Sequence, residues 1–131
     1  MTAGRRRPAA LAAGILALGL LAGCAGQETS VVPPRQVRKG DPQRGAQLIQ
    51  SYGCGSCHTV PGVPGANALV GPPLDHFAER SYIAGVLPNS APNLRHWIRD
   101  PQGVVPGNAM PNLGVTKQDA TDITAYLYTL R

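Results

Sequence analysis

The chain has one pair of cysteines at CxxC spacing and no second. It has no alternation of apolar and polar residues, no internal repeat, and only two methionines and three histidines. Each absence excludes something. Without a second CxxC, a structural zinc site would have to be completed by His76 and His96 alone. Without alternation, half-buried strands and a sheet-based core are not expected. The longest apolar run, Ala9 to Gly23, has 15 residues, where a comfortable membrane span needs roughly 20. The full 131 residues fit one small domain plus segments that are removed or used as a tether.

Ahead of the apolar run stand Arg5, Arg6 and Arg7, the arrangement of an export signal. The rest of a twin-arginine motif is absent. The run ends in LAGC, Leu21 to Cys24, which resembles the lipobox of bacterial lipoproteins, whose cysteine is acylated and becomes the mature first residue. Residues 1–23 are therefore expected to be a signal peptide, Cys24 the lipidated residue, and the chain to sit on the periplasmic side of a bacterial membrane. Residues 24–40, CAGQETSVVPPRQVRKG, carry prolines and no periodicity and read as a flexible tether. Its Arg35, Arg38 and Lys39 could rest on an anionic membrane surface or stay solvated. Signal and tether account for the basic pI of about 9.6. Residues 41–131 balance Arg44, Arg80, Arg95, Arg99, Lys117 and Arg131 against Asp41, Asp75, Glu79, Asp100, Asp119 and Asp122. A balanced domain has no electrostatic footprint for nucleic acid.

With Cys24 committed to lipid, Cys54 and Cys57 remain, in CGSCH. A redox CxxC of the thioredoxin kind should follow a hydrophobic strand, whereas DPQRGAQLIQSYG ahead of Cys54 has the composition of a helix and a turn. The histidine directly after the second cysteine decides the matter, because CxxCH is the attachment signature of c-type haem. The two haem vinyl groups each accept a thiol, and a two-residue gap lets one turn of chain reach both. His58 then emerges beneath the iron as proximal ligand.

The remaining pattern is all-α. Asp41 can cap a helix that has Pro42 at its first position and Ala46, Leu48 and Ile49 as apolar side chains, until Gly53 stops it. Residues 59–75, TVPGVPGANALVGPPLD, contain Gly62, Gly65, Gly71, Pro61, Pro64, Pro72 and Pro73, and form a loop. So long an irregular segment needs something large to hold it, and a haem face is large enough. Residues 77–86 are expected to contain a short helix. Ser90 opens a clearer one, APNLRHWIRD, stopped by Pro101, with Leu94, Trp97 and Ile98 on one face. After a second loop holding Met110, Thr116 and Asp119 approximate a capping box. The last helix is expected over about Lys117 to Leu130, with Ala120, Ile123, Leu127 and Leu130 at helical spacing.

From the first helix through CGSCH to Met110 and the C-terminal helix, residues 41–131 resemble the class I c-type cytochromes. The resemblance implies an all-α fold of three to five helices wrapped around one covalently bound haem c. It implies His58 and Met110 as the axial ligands, Met110 lying in GNAMPNLG where the family places its methionine; Met1 goes with the signal. His76 and His96 are the competing ligands. Gly71-Pro72-Pro73-Leu74 matches the family's Gly-Pro-x-Leu pattern, which assigns the Pro72 carbonyl to the outer ring proton of His58 and Leu74 to packing on the haem. Gly45 resembles the small residue where the terminal helices cross, with Ile123 and Tyr126 as counterparts. Trp97, Tyr82, Arg80 and Arg95 are candidate partners of the haem propionates.

An iron with both axial positions filled by protein has no place for a small-molecule substrate, so the resemblance implies an electron carrier and not an enzyme. The segment from Gly71 to Gly114 looks most like cytochrome domains fused to, or accompanying, haem-copper terminal oxidases. That implies electrons taken from a quinol-oxidising cytochrome complex and passed to a terminal oxidase at the membrane surface. Three histidines and two thiols cannot also build a copper-binding domain beside the haem. The competing readings are a gas-binding or peroxidase-like haem protein in which Met110 leaves the iron, and an accessory subunit of an oxidoreductase complex. A di-haem peroxidase needs a second CxxCH, which is absent, and ligand-sensing four-helix cytochromes carry their motif near the C-terminus.

Overall fold

The computed structural model describes Met1 and residues 39–131; Cys24, with the expected signal and tether between residues 2 and 38, lies outside the described residues. The first helix, α1, spans Pro42–Ser51. Its start follows the expected chemistry: Asp41 Oδ1 accepts from the backbone N–H groups of Gln43 at 2.9 Å and Arg44 at 3.2 Å, and Pro42 occupies a position that needs no donor. Tyr52 closes the helix, and Gly53, at φ 70°, turns the chain away from it.

The last helix, α4, spans Lys117–Leu127, shorter than expected because Tyr128 already caps it. Thr116 Oγ1 accepts from the Asp119 N–H at 3.1 Å and donates to the Asp119 carboxylate at 2.8 Å. Thus Asp119 completes the cap through the hydroxyl instead of reaching back to the Thr116 backbone.

The main helix contact is α1 across α4. A β-carbon at Gly45 would collide with the Asp122 carbonyl and sit 2.9 Å from the Tyr126 Cβ. The counterparts of Gly45 are therefore Asp122 and Tyr126, not Ile123, whose side chain joins the core instead. Gly40 makes a second close approach, against Thr121 and Ala125. Charge reinforces the crossing: Arg44 bridges buried Asp122 and Asp119, the latter at 2.6 Å, and Tyr52 donates to Asp119 at 2.8 Å. The Asp41 N–H and the Gln118 amide donate to Asp122 at 2.9 and 3.1 Å, so its buried carboxylate has several donors.

Between these helices the chain departs from expectation in one place. Residues 77–86 do not make a helix beyond a 3-10 turn at Phe77–Glu79. They continue instead into a short antiparallel pair, β1 (Tyr82–Ile83) with β2 (Leu87–Pro88). Ala84 and Gly85 both have positive φ, 51° and 74°, and the Val86 N–H reaches the Ile83 carbonyl at 3.1 Å. That is the tight turn whose twist matches a hairpin. Two-residue strands are too short to show alternation, which is why the pattern was missed. The second helix, α2, spans Ala91–Arg99 with Ser90 as its cap, burying Leu94 and Ile98 and half-burying Trp97. Pro101 ends it but also starts α3, Pro101–Val104, capped by the Asp100 side chain. Ile49, Leu94, Ile98, Ile123 and Leu127 form the centre of the core. Among the described residues no helix is long and apolar enough to cross a membrane.

Candidate cofactor cavity

The left-handed Gly53 feeds directly into a 3-10 turn, Cys54–Ser56, and the Cys57 and His58 N–H groups both point to the Cys54 carbonyl, at 3.2 and 3.0 Å. Both thiols and the imidazole thus leave the same turn. Cys54 and Cys57 are free and half-buried, and burial pushes the Cys54 thiol up from its ordinary pKa.

His58 is fixed from outside the turn. Its Nδ1 lies 2.7 Å from the Pro72 carbonyl, which can only accept, so Nδ1 carries the proton and the neutral ring keeps its lone pair on Nε2. The Gly71 N–H donates to the Cys57 carbonyl at 2.7 Å, and the Leu74 N–H to the Thr59 carbonyl at 2.8 Å. A β-carbon at Gly71 would collide with the His58 ring, so the Gly-Pro-x-Leu loop lies directly against the imidazole. The long loop before it is tied by the Thr59 to Asn67 bridge and by Thr59 Oγ1 donating to the Ala68 carbonyl at 3.0 Å.

Cys54, Cys57, His58, Pro72, Leu74 and Met110 all line one cavity of about 500 Å³, within the range of ordinary cofactor sites. Its other walls are largely core side chains, including Ile49, Leu94, Ile98, Ile123 and Leu127. The fit to a haem is good on three counts: two free thiols on one turn, an imidazole already oriented through its outer nitrogen, and an apolar enclosure. Of the candidate propionate partners, Trp97, Tyr82 and Arg80 line the cavity, while Arg95 lies in a separate groove with Lys39 and Lys117. His76 and His96 are exposed and outside the cavity lining. Among the described residues no three His, Cys, Asp or Glu side chains gather as a metal-ion site.

One functional residue escaped the sequence reading. Gln102, on α3, donates from Nε2 to the Asn108 carbonyl at 2.9 Å and to the Met110 carbonyl at 2.7 Å, and its Oε1 accepts from the Gly107 N–H at 3.1 Å. Asn108 adds its own bonds to Pro101 and Val105 and accepts from the Met110 N–H at 2.8 Å. These amides hold the loop that carries Met110. Neither Gln102 nor Asn108 gives warning of such a brace in the sequence, because the partners are backbone groups that only the fold brings together.

Comparison with known proteins agrees with this geometry. The family described as cytochrome c matches residues 42–131. The chain is similar to three curated relatives, each named cytochrome c oxidase subunit 2. That of Alkalihalophilus pseudofirmus is 39% identical over 89 residues, covering 67% of this chain and 25% of its own length. That of Bacillus sp. strain PS3 is 34% identical, covering 65% and 25%. That of Bacillus subtilis is 33% identical over 88 residues, covering 66% and 25%. The chain therefore spans about a quarter of the length of these relatives.

Proposed function

The chain belongs to the cytochrome c family and binds a covalent haem c, and from that premise we propose that it is a membrane-anchored electron carrier serving a haem-copper terminal oxidase. The observation that carries the reading is the single cavity lined by Cys54, Cys57, His58 and Met110. The haem, when bound, supplies reversible one-electron chemistry at its iron.

Cys54 and Cys57 fasten the group to the backbone, so a domain of this small size retains it. His58 offers Nε2, and the Pro72 carbonyl fixes both the tautomer and the ring plane and makes the nitrogen a better donor. Met110 offers a soft thioether, which favours the reduced over the oxidised metal relative to a second imidazole. Gln102 and Asn108 hold the Met110 backbone from both sides, which would keep its thioether available to the haem iron and disfavour entry of gases or peroxide. Cys24 carries the lipid, a quinol-oxidising cytochrome complex is the donor, and the oxidase is the acceptor on the periplasmic side. The similarity to oxidase subunits named above supports the acceptor.

The full-length, haem-loaded protein tests this directly. Reduced protein mixed with membranes that contain a haem-copper oxidase is expected to be reoxidised in a cyanide-sensitive manner; absence of reoxidation overturns delivery to an oxidase. The ferric spectrum is expected to show the weak far-red band of methionine ligation, lost in Met110→Ala. Rapid carbon monoxide binding by the native ferrous form would favour the gas-binding alternative. Acylation is read by mass spectrometry of Cys24.

A further inference from the structure

The chain has two lysines, Lys39 and Lys117. They are far apart in sequence, yet both line one groove, with Arg95, Gln118 and Thr121. The three cations come from three places in the fold: Lys39 precedes α1, Arg95 lies on α2 and Lys117 opens α4. No Asp or Glu lines the groove. Among the described residues the ion pairs engage Arg44, His76 and Arg80 but none of these three. The carboxylates of α4, Asp119 and Asp122, are buried and turned to Arg44. A domain that otherwise balances its charges thus gathers three unpaired cations in one place, and an anionic surface would relieve their mutual repulsion.

The same groove marks where the tether joins the domain. Gly40 sits too close to the Thr121 carbonyl and the Ala125 side chain to carry a β-carbon, and the Asp41 N–H donates to the buried Asp122 carboxylate at 2.9 Å. These contacts fix Lys39 beside α4. Residues 25–38, with Arg35 and Arg38 among them, connect Lys39 to Cys24. Fully extended they reach up to about 50 Å, so a lipid on Cys24 confines the domain to a membrane without choosing which side faces it.

Resting on the reading of Cys24 as the lipid anchor, we propose that the face made by Lys39, Arg95 and Lys117 lies on anionic lipid headgroups and sets the orientation of the domain on its membrane. The occupant is a lipid surface because the lipid-bearing segment enters the domain at this groove, and because the groove has the charge that complements a phospholipid headgroup layer. Each basic side chain brought to such a surface favours the contact by about fivefold, within a Debye length. The anchor supplies the high local concentration, so three cations suffice where they would not hold a free protein. Thr121 stands about 200° around α4 from Ile123, and Ile123 lines the haem cavity. Groove and cavity therefore open on different sides of that helix, and a domain resting on the groove holds its cavity off the lipid.

The two lysines are also the handle for the test. Full-length, lipidated, haem-loaded protein is bound to vesicles of phosphatidylcholine alone, or with about 30% phosphatidylglycerol to give a negative surface. Both samples are treated with a water-soluble amine-acetylating reagent and read by peptide mass spectrometry. Lys39 and Lys117 are expected to react about tenfold more slowly on the anionic vesicles, with the protection lost at about 0.5 M salt. Arg95→Gln is expected to cut that protection to about two- to threefold. Arg99→Gln, on the same helix but outside the groove, should leave it unchanged, with the absorption spectrum native in both variants. Equal reaction on both kinds of vesicle by protein that remains bound, or equal effects of the two arginine variants, overturns the orientation. So does equal protection by inorganic phosphate in solution, which would make the groove a small-anion site. Protection on native membranes but not on anionic vesicles would point to an acidic protein and overturn it as well. Failure to bind neutral vesicles at all overturns the Cys24 anchor and the orientation with it, a result distinct from the others.

Discussion

The α1–α4 crossing and the two haem-facing loops are held by opposite means. The crossing is regular and charged: glycines let the helices touch, and Arg44, Asp119, Asp122 and Tyr52 join them from both sides. The loops, residues 59–74 and 105–114, are irregular and carry no formal charge, and backbone carbonyls and side-chain amides tie them down, as between Pro72 and His58 or Gln102 and Met110. A helix satisfies its own backbone and needs partners only for its side chains, whereas a loop must find a partner for each buried backbone group. The frame therefore should stand with less help than the site it supports.

The sharpest way to break that distinction is to remove the cofactor. Replacing Cys54 and Cys57 together by alanine is expected to abolish covalent haem, read by mass spectrometry. Hydrogen exchange should then show lost protection in residues 59–75 and 105–114, with residual protection in α1 and α4; uniform loss would erase the contrast. The next effect strikes the frame. Alanine in place of a mid-helix glycine ordinarily stabilises by up to about 1 kcal/mol. Gly45→Ala is expected to destabilise by about 1–3 kcal/mol in denaturant unfolding, because its β-carbon meets the Asp122 carbonyl.

A smaller global effect with a larger local one is expected of Gln102→Ala, which frees three backbone groups around Met110 and should cost about 1–3 kcal/mol. Its signature is a weakened far-red band and faster carbon monoxide binding, with the His58 side of the haem undisturbed. A normal spectrum would reduce Gln102 to ordinary packing.

The smallest effect near neutrality is that of pH, and it too should separate frame from loops. Hydrogen bonds from Thr116 and Tyr52, with the Arg44 charge, hold Asp119 below its ordinary 3.8, so its contribution is present above that value and is lost as pH falls through the lower folded one. Tyr52 is raised above 10.0, chiefly by its bond to Asp119, so its contribution is present below that value and is lost as pH rises through the higher folded one. Thermal unfolding should therefore be nearly flat between about pH 5 and 9 on account of this network and fall on both sides. Asp119→Asn should flatten the acid side.

The motif-bearing parts of the molecule were readable without a fold. CGSCH names its chemistry because the attachment of haem needs two thiols and an imidazole on one turn, a purely local demand. The caps at Asp41, Ser90 and Thr116 are likewise local, and α1, α2 and α4 start where those residues stand. The hairpin at Tyr82–Pro88 was not readable, since two-residue strands carry no period and the positive φ at Ala84 defies propensity. Nor was the brace on Met110, nor the exchange of Asp122 for Ile123 opposite Gly45.

By itself the amino-acid order determined the cofactor, the turn that carries its two cysteines and histidine, and the helical character of the domain, because each depends on residues within a few positions of one another. Only the tertiary structure decided which amide steadies Met110, which residues face Gly45, and that two uncharged stretches line one cavity. Those are agreements between groups far apart in the chain, and their free energy exists only once the helices have brought them into contact.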